Sequence, residues 1–168
     1  MKIDFIIISG ILVIISFLPF ILMPILGMKN QKNLTRTFRE ESLKLGLNSS
    51  FKLQWNTNIA GIDIMNKHFL LIQRLDNDLK IKHIDLNQVN DVKLVTKTCE
   101  FKVKEKFRQT LSQVDLAFYQ PNSEVPVTVN LFDYDLNYTE DLEIKNSQKL
   151  LVELQKYVTS VPVLKHTA

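Results

Sequence analysis

Three patterns of apolar and polar positions follow one another along the chain. The first is an uncharged run from Phe5 to Met28, FIIISGILVIISFLPFILMPILGM, about 24 residues in which Ser9 and Ser16 are the polar side chains. A helix needs about 20 predominantly apolar residues to cross roughly 30 Å of hydrocarbon, so this run predicts a transmembrane helix with some tilt. It starts Met-Lys-Ile-Asp, ends Ile-Leu-Gly-Met and shows no A-x-A pattern, which argues against a cleaved signal peptide. A buried core helix would carry a polar stripe, and this run has none. Pro19 and Pro24 favour kinks that membrane helices tolerate. Gly10 and Gly27 lie too far apart for a small-residue dimerisation face.

The second pattern covers residues 29–48. Lys29, Lys32, Arg36, Arg39 and Lys44 follow the apolar run, while Leu34, Phe38, Leu43 and Leu45 recur at loose helical spacing until Gly46. A short amphipathic helix from about Thr35 to Leu45 is expected. It acts either as a stalk packed on the following domain or as a helix on anionic headgroups through Lys32, Arg36 and Arg39.

From Ser50 the period becomes two, the mark of half-buried strands. Strands are expected over Phe51–Trp55, Ile59–Met65, His68–Arg74, Leu79–Leu86 and Val89–Thr98. Thr57-Asn58, Asn66, Asp76-Asn77-Asp78 and 87–90 serve as turns. Gly61 inside a strand suggests a bulge. The alternation is plainest in SQVDLAFY, with Val114, Leu116 and Phe118 on one face, and in VPVTVNLF, with Val125, Val127, Val129 and Leu131 inward. Pro126 marks an edge. A last helix is expected over Ser147–Val158, capped by Ser147 and carrying the stripe Leu150, Leu151, Leu154, Tyr157 and Val158.

The fold class is therefore α+β: an N-terminal transmembrane helix, then a mainly antiparallel bent sheet or partly open barrel of about seven strands with a C-terminal amphipathic helix. The organisation is a 1–28 anchor, a 29–48 basic stalk, a 49–160 soluble domain and a 161–168 tail. At 168 residues, one domain plus one span uses the chain. Cations after the run outnumber those before it, where Lys2 stands beside Asp4, which places the C-terminal domain in the cytoplasm at the inner face of the cell membrane. The matches to N-x-[ST] at Asn33, Asn48 and Asn137 carry no weight on that side.

Composition narrows the function. A net charge of +3 is short of the dense basic faces of nucleic-acid binders. One cysteine, Cys99, forms no intramolecular disulfide. No Gly-rich phosphate loop, Ser-centred elbow or H-E-x-x-H is present, and the four glycines leave little room for such loops. His68, His83 and His166 show no metal-ligand spacing. Asp133-Tyr-Asp135-Leu-Asn137-Tyr-Thr139 opens like a calcium loop, but Tyr138 stands where glycine is required and Ile144 where a glutamate should close the site. No cofactor or metal is expected. Lys102, Lys104, Lys106 and Arg108, interleaved with Phe101, Val103 and Phe107, make a second candidate contact for anionic lipid, or a lysine-guarded strand edge.

The strand order followed by a final helix resembles a pleckstrin-homology-like domain. Trp55-Asn-Thr-Asn-Ile-Ala-Gly61-Ile-Asp63, Ile84-Asp85-Leu86 and Leu131-Phe-Asp-Tyr-Asp135 after a basic stalk are similar to a group of bacterial single-pass membrane proteins with such a domain. The resemblance implies two roughly orthogonal sheets of seven strands and a binding or scaffolding role. The expected function is a non-enzymatic interaction module whose partners are the lipid bilayer and a membrane or cytoplasmic protein, without nucleic acid. The alternatives are a structural subunit acting through the span, and an enzyme assembled from acids such as Asp63, Asp85, Asp115 and Asp133.

Overall fold

The structure is a computed structural model that describes residues 2–75, 78–103, 106–121, 123–136 and 142–158, with side chains placed except at 2–9, 21–30, 101, 103 and 106. Helix α1 (Lys2–Lys44) leads into β1 (Phe51–Trp55), β2 (Asn58–Asp63), β3 (His68–Leu75) and β4 (Asp78–Asp85). A 3-10 turn (Leu86–Gln88) precedes β5 (Asp91–Val103), β6 (Lys106–Tyr119), β7 (Val127–Asp133) and helix α2 (Glu143–Gln155). The strands form two antiparallel sheets, ordered β1-β2-β3-β4 and β5-β6-β7. The fold is thus α+β with seven strands and a C-terminal helix, as the period-two pattern predicts.

The main core lies between the sheets and under α2. Phe69 and Phe118 meet across it with ring centroids 5.6 Å apart, and Leu150 and Leu154 of α2 are fully buried against it. A second, smaller core lies on the opposite face of the first sheet, where Leu34 and Phe38 of α1 pack on Ile59, Leu70 and Ile72. β2 is therefore buried on both faces along its whole length. That is why its sequence loses strict alternation.

The short helix expected over 35–45 is the end of one continuous helix that runs through Pro19 and Pro24. Its buried stripe is Leu34, Phe38 and Ser42, one residue every four, whereas Leu43 and Leu45 are exposed. Gly46, at φ 65°, ends it: Leu47 N–H donates to Ser42 O at 2.8 Å and Gly46 N–H to Leu43 O at 3.2 Å. This paired closure of orphan carbonyls favours glycine at the left-handed position, and Leu47 then packs on the second core. Among the described residues no helix is long and apolar enough to cross a membrane. The transmembrane helix expected over 5–28 is thus not found among the described residues.

Several local expectations need correction. The first hairpin turns at Asn56-Thr57, with Asn56 at φ 43°, and Asn58 is buried in β2 opposite Trp55. Gly61 marks no bulge, since its pairing with Lys52 and Leu70 is in register. A Cβ there would lie 2.4 Å from Phe38 Cζ, so glycine is required by the close approach of α1. Bulges occur instead in the second sheet, at Lys97/Thr98 and between Val114 and Asp115. The latter leaves Leu131 unpaired in β7, and Leu131 and Phe132 are both buried. Val125 and Val127, expected inward, are exposed, while β7 is an edge strand as Pro126 suggests. α2 begins four residues before Ser147, which is buried in it rather than capping it.

Candidate functional site

The candidate site lies where α1 meets β1. Residues 31–39 of α1 present two faces: Leu34 and Phe38 turn into the second core, and Lys32, Arg36 and Arg39, at spacings of four and three, share a flank turned away from that stripe. That flank and β1 enclose an open groove of about 460 Å³ lined by Gln31, Lys32, Thr35, Arg36, Arg39 and Gln54. Thr35 Oγ1 donates to Gln54 Oε1 at 3.2 Å and ties the helix to the strand. Arg36 Nε bonds Glu40 Oε1 at 2.8 Å, while Lys32 and Arg39 pair with no described carboxylate. Lys52 on β1 adds a cation beside the helix, its ammonium 5.1 Å from the centre of the Phe38 ring. The groove offers exposed cations and the side-chain amide N–H groups of Gln31 and Gln54 to an anionic guest, which is the chemistry of phosphate or carboxylate recognition.

The other sequence-level candidates lie elsewhere. Lys102 and Arg108 sit on a two-stranded arm formed by the distal halves of β5 and β6, beyond the last residue of β6 that pairs with β7. Lys102 is opposite Phe107 and Arg108 opposite Phe101, so the two cations project from opposite faces of the arm. Among the described residues, Lys102 and Arg108 therefore do not share one side. Lys104 lies outside the described residues, and Lys106 opens β6 without a placed side chain. None of the arm residues lines the groove.

The acids of the enzyme reading are each committed locally. Asp63, buried, accepts from Met65 and Asn66 N–H at 3.0 Å through Oδ1, and from Asn48 N–H at 2.8 Å and Asn66 Nδ2 at 2.9 Å through Oδ2. Burial pulls its pKa up, and these donors outweigh that and hold it below the usual carboxylate range. Asp85 accepts from Asn87 N–H at 3.0 Å, the main reason its pKa is also lowered. Asp115 accepts from Asn130 at 2.8 Å and Gln113 at 2.7 Å. Asp133 Oδ1 accepts from Asp135 N–H in a turn whose continuation, including the remaining positions of the calcium-like loop up to 141, lies outside the described residues. None of the four lines the groove.

Two features escaped sequence reasoning. His68 and His83 lie 15 positions apart yet their rings come within 4.9 Å, because β3 and β4 pair with His68 opposite Asp85 and His83 opposite Leu70. Burial, then the neighbouring His68, push the His83 pKa down, against the pull of Asp85. Reading that hairpin's register from its turn places both histidines. Among the described residues no group of three His, Cys, Asp or Glu is placed to hold a metal. The second feature is Glu143, buried at the start of α2, which accepts from Trp55 Nε1 at 2.5 Å and Asn56 Nδ2 at 3.1 Å and so fastens α2 to the first hairpin. No family model matches the chain, and no curated protein and no solved structure matches it.

Proposed function

We propose that this chain is a membrane-tethered, non-enzymatic binding module of pleckstrin-homology-like architecture at the cytoplasmic face of the cell membrane, whose basic groove holds anionic lipid headgroups. The observation that carries this reading is the place of the groove. Its first cation stands four residues after the uncharged run ends at Met28, within the same helix. At about 1.5 Å per residue, Lys32, Arg36 and Arg39 lie about 6, 12 and 16 Å beyond the end of the run. The polar layer of a bilayer is about 5–8 Å deep on each side, so Lys32 falls within it, and Arg36 and Arg39 stand just beyond it, where an anionic surface still attracts them. Each cation near an anionic surface is worth about 1 kcal/mol. Two further facts support the reading. Every residue from Gly10 to Phe20 is exposed, which leaves that apolar surface without cover from the domain. Seven antiparallel strands in two sheets followed by a closing helix agree with what the resemblance implies.

Two measurements test it. After lysis without detergent the full chain is expected in the membrane fraction, and recovery in the aqueous fraction would end the proposal. Native mass spectrometry of the detergent-released full chain is expected to retain phosphatidylglycerol over phosphatidylcholine. The variant Lys32→Gln/Arg36→Gln/Arg39→Gln is expected to lose that preference, and an unchanged preference would dismiss the groove.

A further inference from the structure

The free edges of the two sheets, β4 and β7, border a cavity of about 230 Å³ lined by Leu71, Gln73, Lys80, Lys82, Thr128 and Asn130. Its wall is fixed by internal hydrogen bonds. Buried Gln73 donates through Nε2 to Leu131 O at 3.2 Å, and Asn130 Nδ2 donates to Asp115 Oδ1 at 2.8 Å and Phe132 O at 3.0 Å. Asn130 Nδ2 has both hydrogens committed and Gln73 Nε2 one of its two, so the donors left for a guest are the Lys80 and Lys82 ammoniums, the Thr128 hydroxyl and the second Gln73 hydrogen. Neither lysine makes an ion pair with a described residue.

The strand that carries these lysines is open along its length. Residues Asp78 to His83 are all exposed, and β4 ends its sheet, so its outward backbone groups have no strand partner. Alternation puts Leu79 and Ile81, 39% and 40% exposed, on the face opposite the lysines. We infer that β4 receives an extended acidic segment of a partner protein as an added strand. Its acidic side chains enter the gap to meet Lys80 and Lys82, and its alternate apolar side chains lie against Leu79 and Ile81. Main-chain pairing supplies the affinity of such a mode and the alternating side chains its specificity. Charge selects the occupant: in a second copy paired with Ile81 opposite Ile81, Lys80 stands opposite Lys82, a like-charge contact that disfavours self-assembly.

The test uses the full chain in a zwitterionic detergent and a fluorescein-labelled peptide of about nine residues, long enough to cover β4, that alternates glutamate with valine or threonine. A second peptide of the same composition has its glutamates in one block. The alternating peptide is expected to bind and to slow amide exchange within 78–85. The Lys80→Glu/Lys82→Glu variant, its fold checked by circular dichroism, is expected to weaken binding by about tenfold or more and to accept a lysine-alternating peptide instead. Lys80→Gln/Lys82→Gln provides the milder variant if the reversal disturbs folding. Equal binding of the blocked peptide, undiminished binding by both variants, slowed exchange only in 31–39, or no binding at all would each overturn the inference.

Discussion

Replacing Gly61 by alanine puts one methyl group where α1 already stands. The added Cβ would lie 2.4 Å from Phe38 Cζ, 2.8 Å from Ser49 Oγ and 3.1 Å from Phe38 Cε2. Ordinary carbon contacts lie at about 3.5–4.0 Å, so the ring must retreat by about 1.2 Å. The Ser49 hydroxyl can rotate away, but Phe38 is a rigid ring, 3% exposed and packed among Leu34, Ile59, Leu70 and Ile72. Its retreat therefore carries α1 with it. Overpacking of this kind costs about 1–3 kcal/mol, and outright expulsion of the ring forfeits a similar amount of burial. The assay is chemical unfolding of the full chain in detergent for Gly61→Ala, Phe38→Ala and the double variant. Gly61→Ala is expected to cost about 1–3 kcal/mol alone and about 0.5 kcal/mol or less once Phe38 is truncated, because the methyl then enters vacated space. Amide exchange in 31–44 should rise with Gly61→Ala. An equal cost in both backgrounds would refute the claim that Phe38 dictates glycine at this position.

Glu143→Gln replaces a charge-assisted bond to Trp55 Nε1 by a neutral one and is expected to cost about 1–2 kcal/mol, with a red shift in the emission of the chain's single tryptophan. Asp63 has a lowered folded pKa, so its contribution to stability is present above its unfolded value of about 3.9 and is lost as pH falls through the lowered folded value. Unfolding measured from pH 6 downward should show a shallower acid loss for Asp63→Asn than for the parent. Asn58 Nδ2 and Gln73 Nε2 both donate to the Leu131 carbonyl, at 2.8 and 3.2 Å. Asn58→Ala should cost about 1 kcal/mol while Gln73 remains, and denaturation of Asn58→Ala/Gln73→Ala should show a loss beyond the sum of the two singles, since that buried carbonyl then loses both donors.

The strands were legible because each sheet keeps one face on the core, and burial alternates in β1 and at the start of β5 as the sequence alternates. What the pattern concealed came from contacts distant along the chain. Gly61 reads as a bulge until Phe38, 23 positions earlier, is seen against it. The position of Leu131 depends on donors from β2 and β3, so the two successive buried residues of β7 look locally like a lapse in period. α2 starts at Leu142 in a left-handed conformation without a side-chain cap, so Ser147 gave a false start signal. The stop of α1 at Gly46 was readable because the left-handed φ that closes a helix favours glycine. In the groove, Lys32, Arg36 and Arg39 were legible from helical spacing, whereas Gln54 needed the docking of α1 on β1.

The absence of any break between residues 2 and 44 has a mechanical meaning. A flexible leash would fix only how far the folded part wanders, whereas a rod seated by Leu34, Phe38 and Ser42 also fixes its bearing. Were the first half of that rod held in a bilayer, as proposed, its grip would also choose which flank of the sheets looks outward, because the rod and the first sheet share one seat.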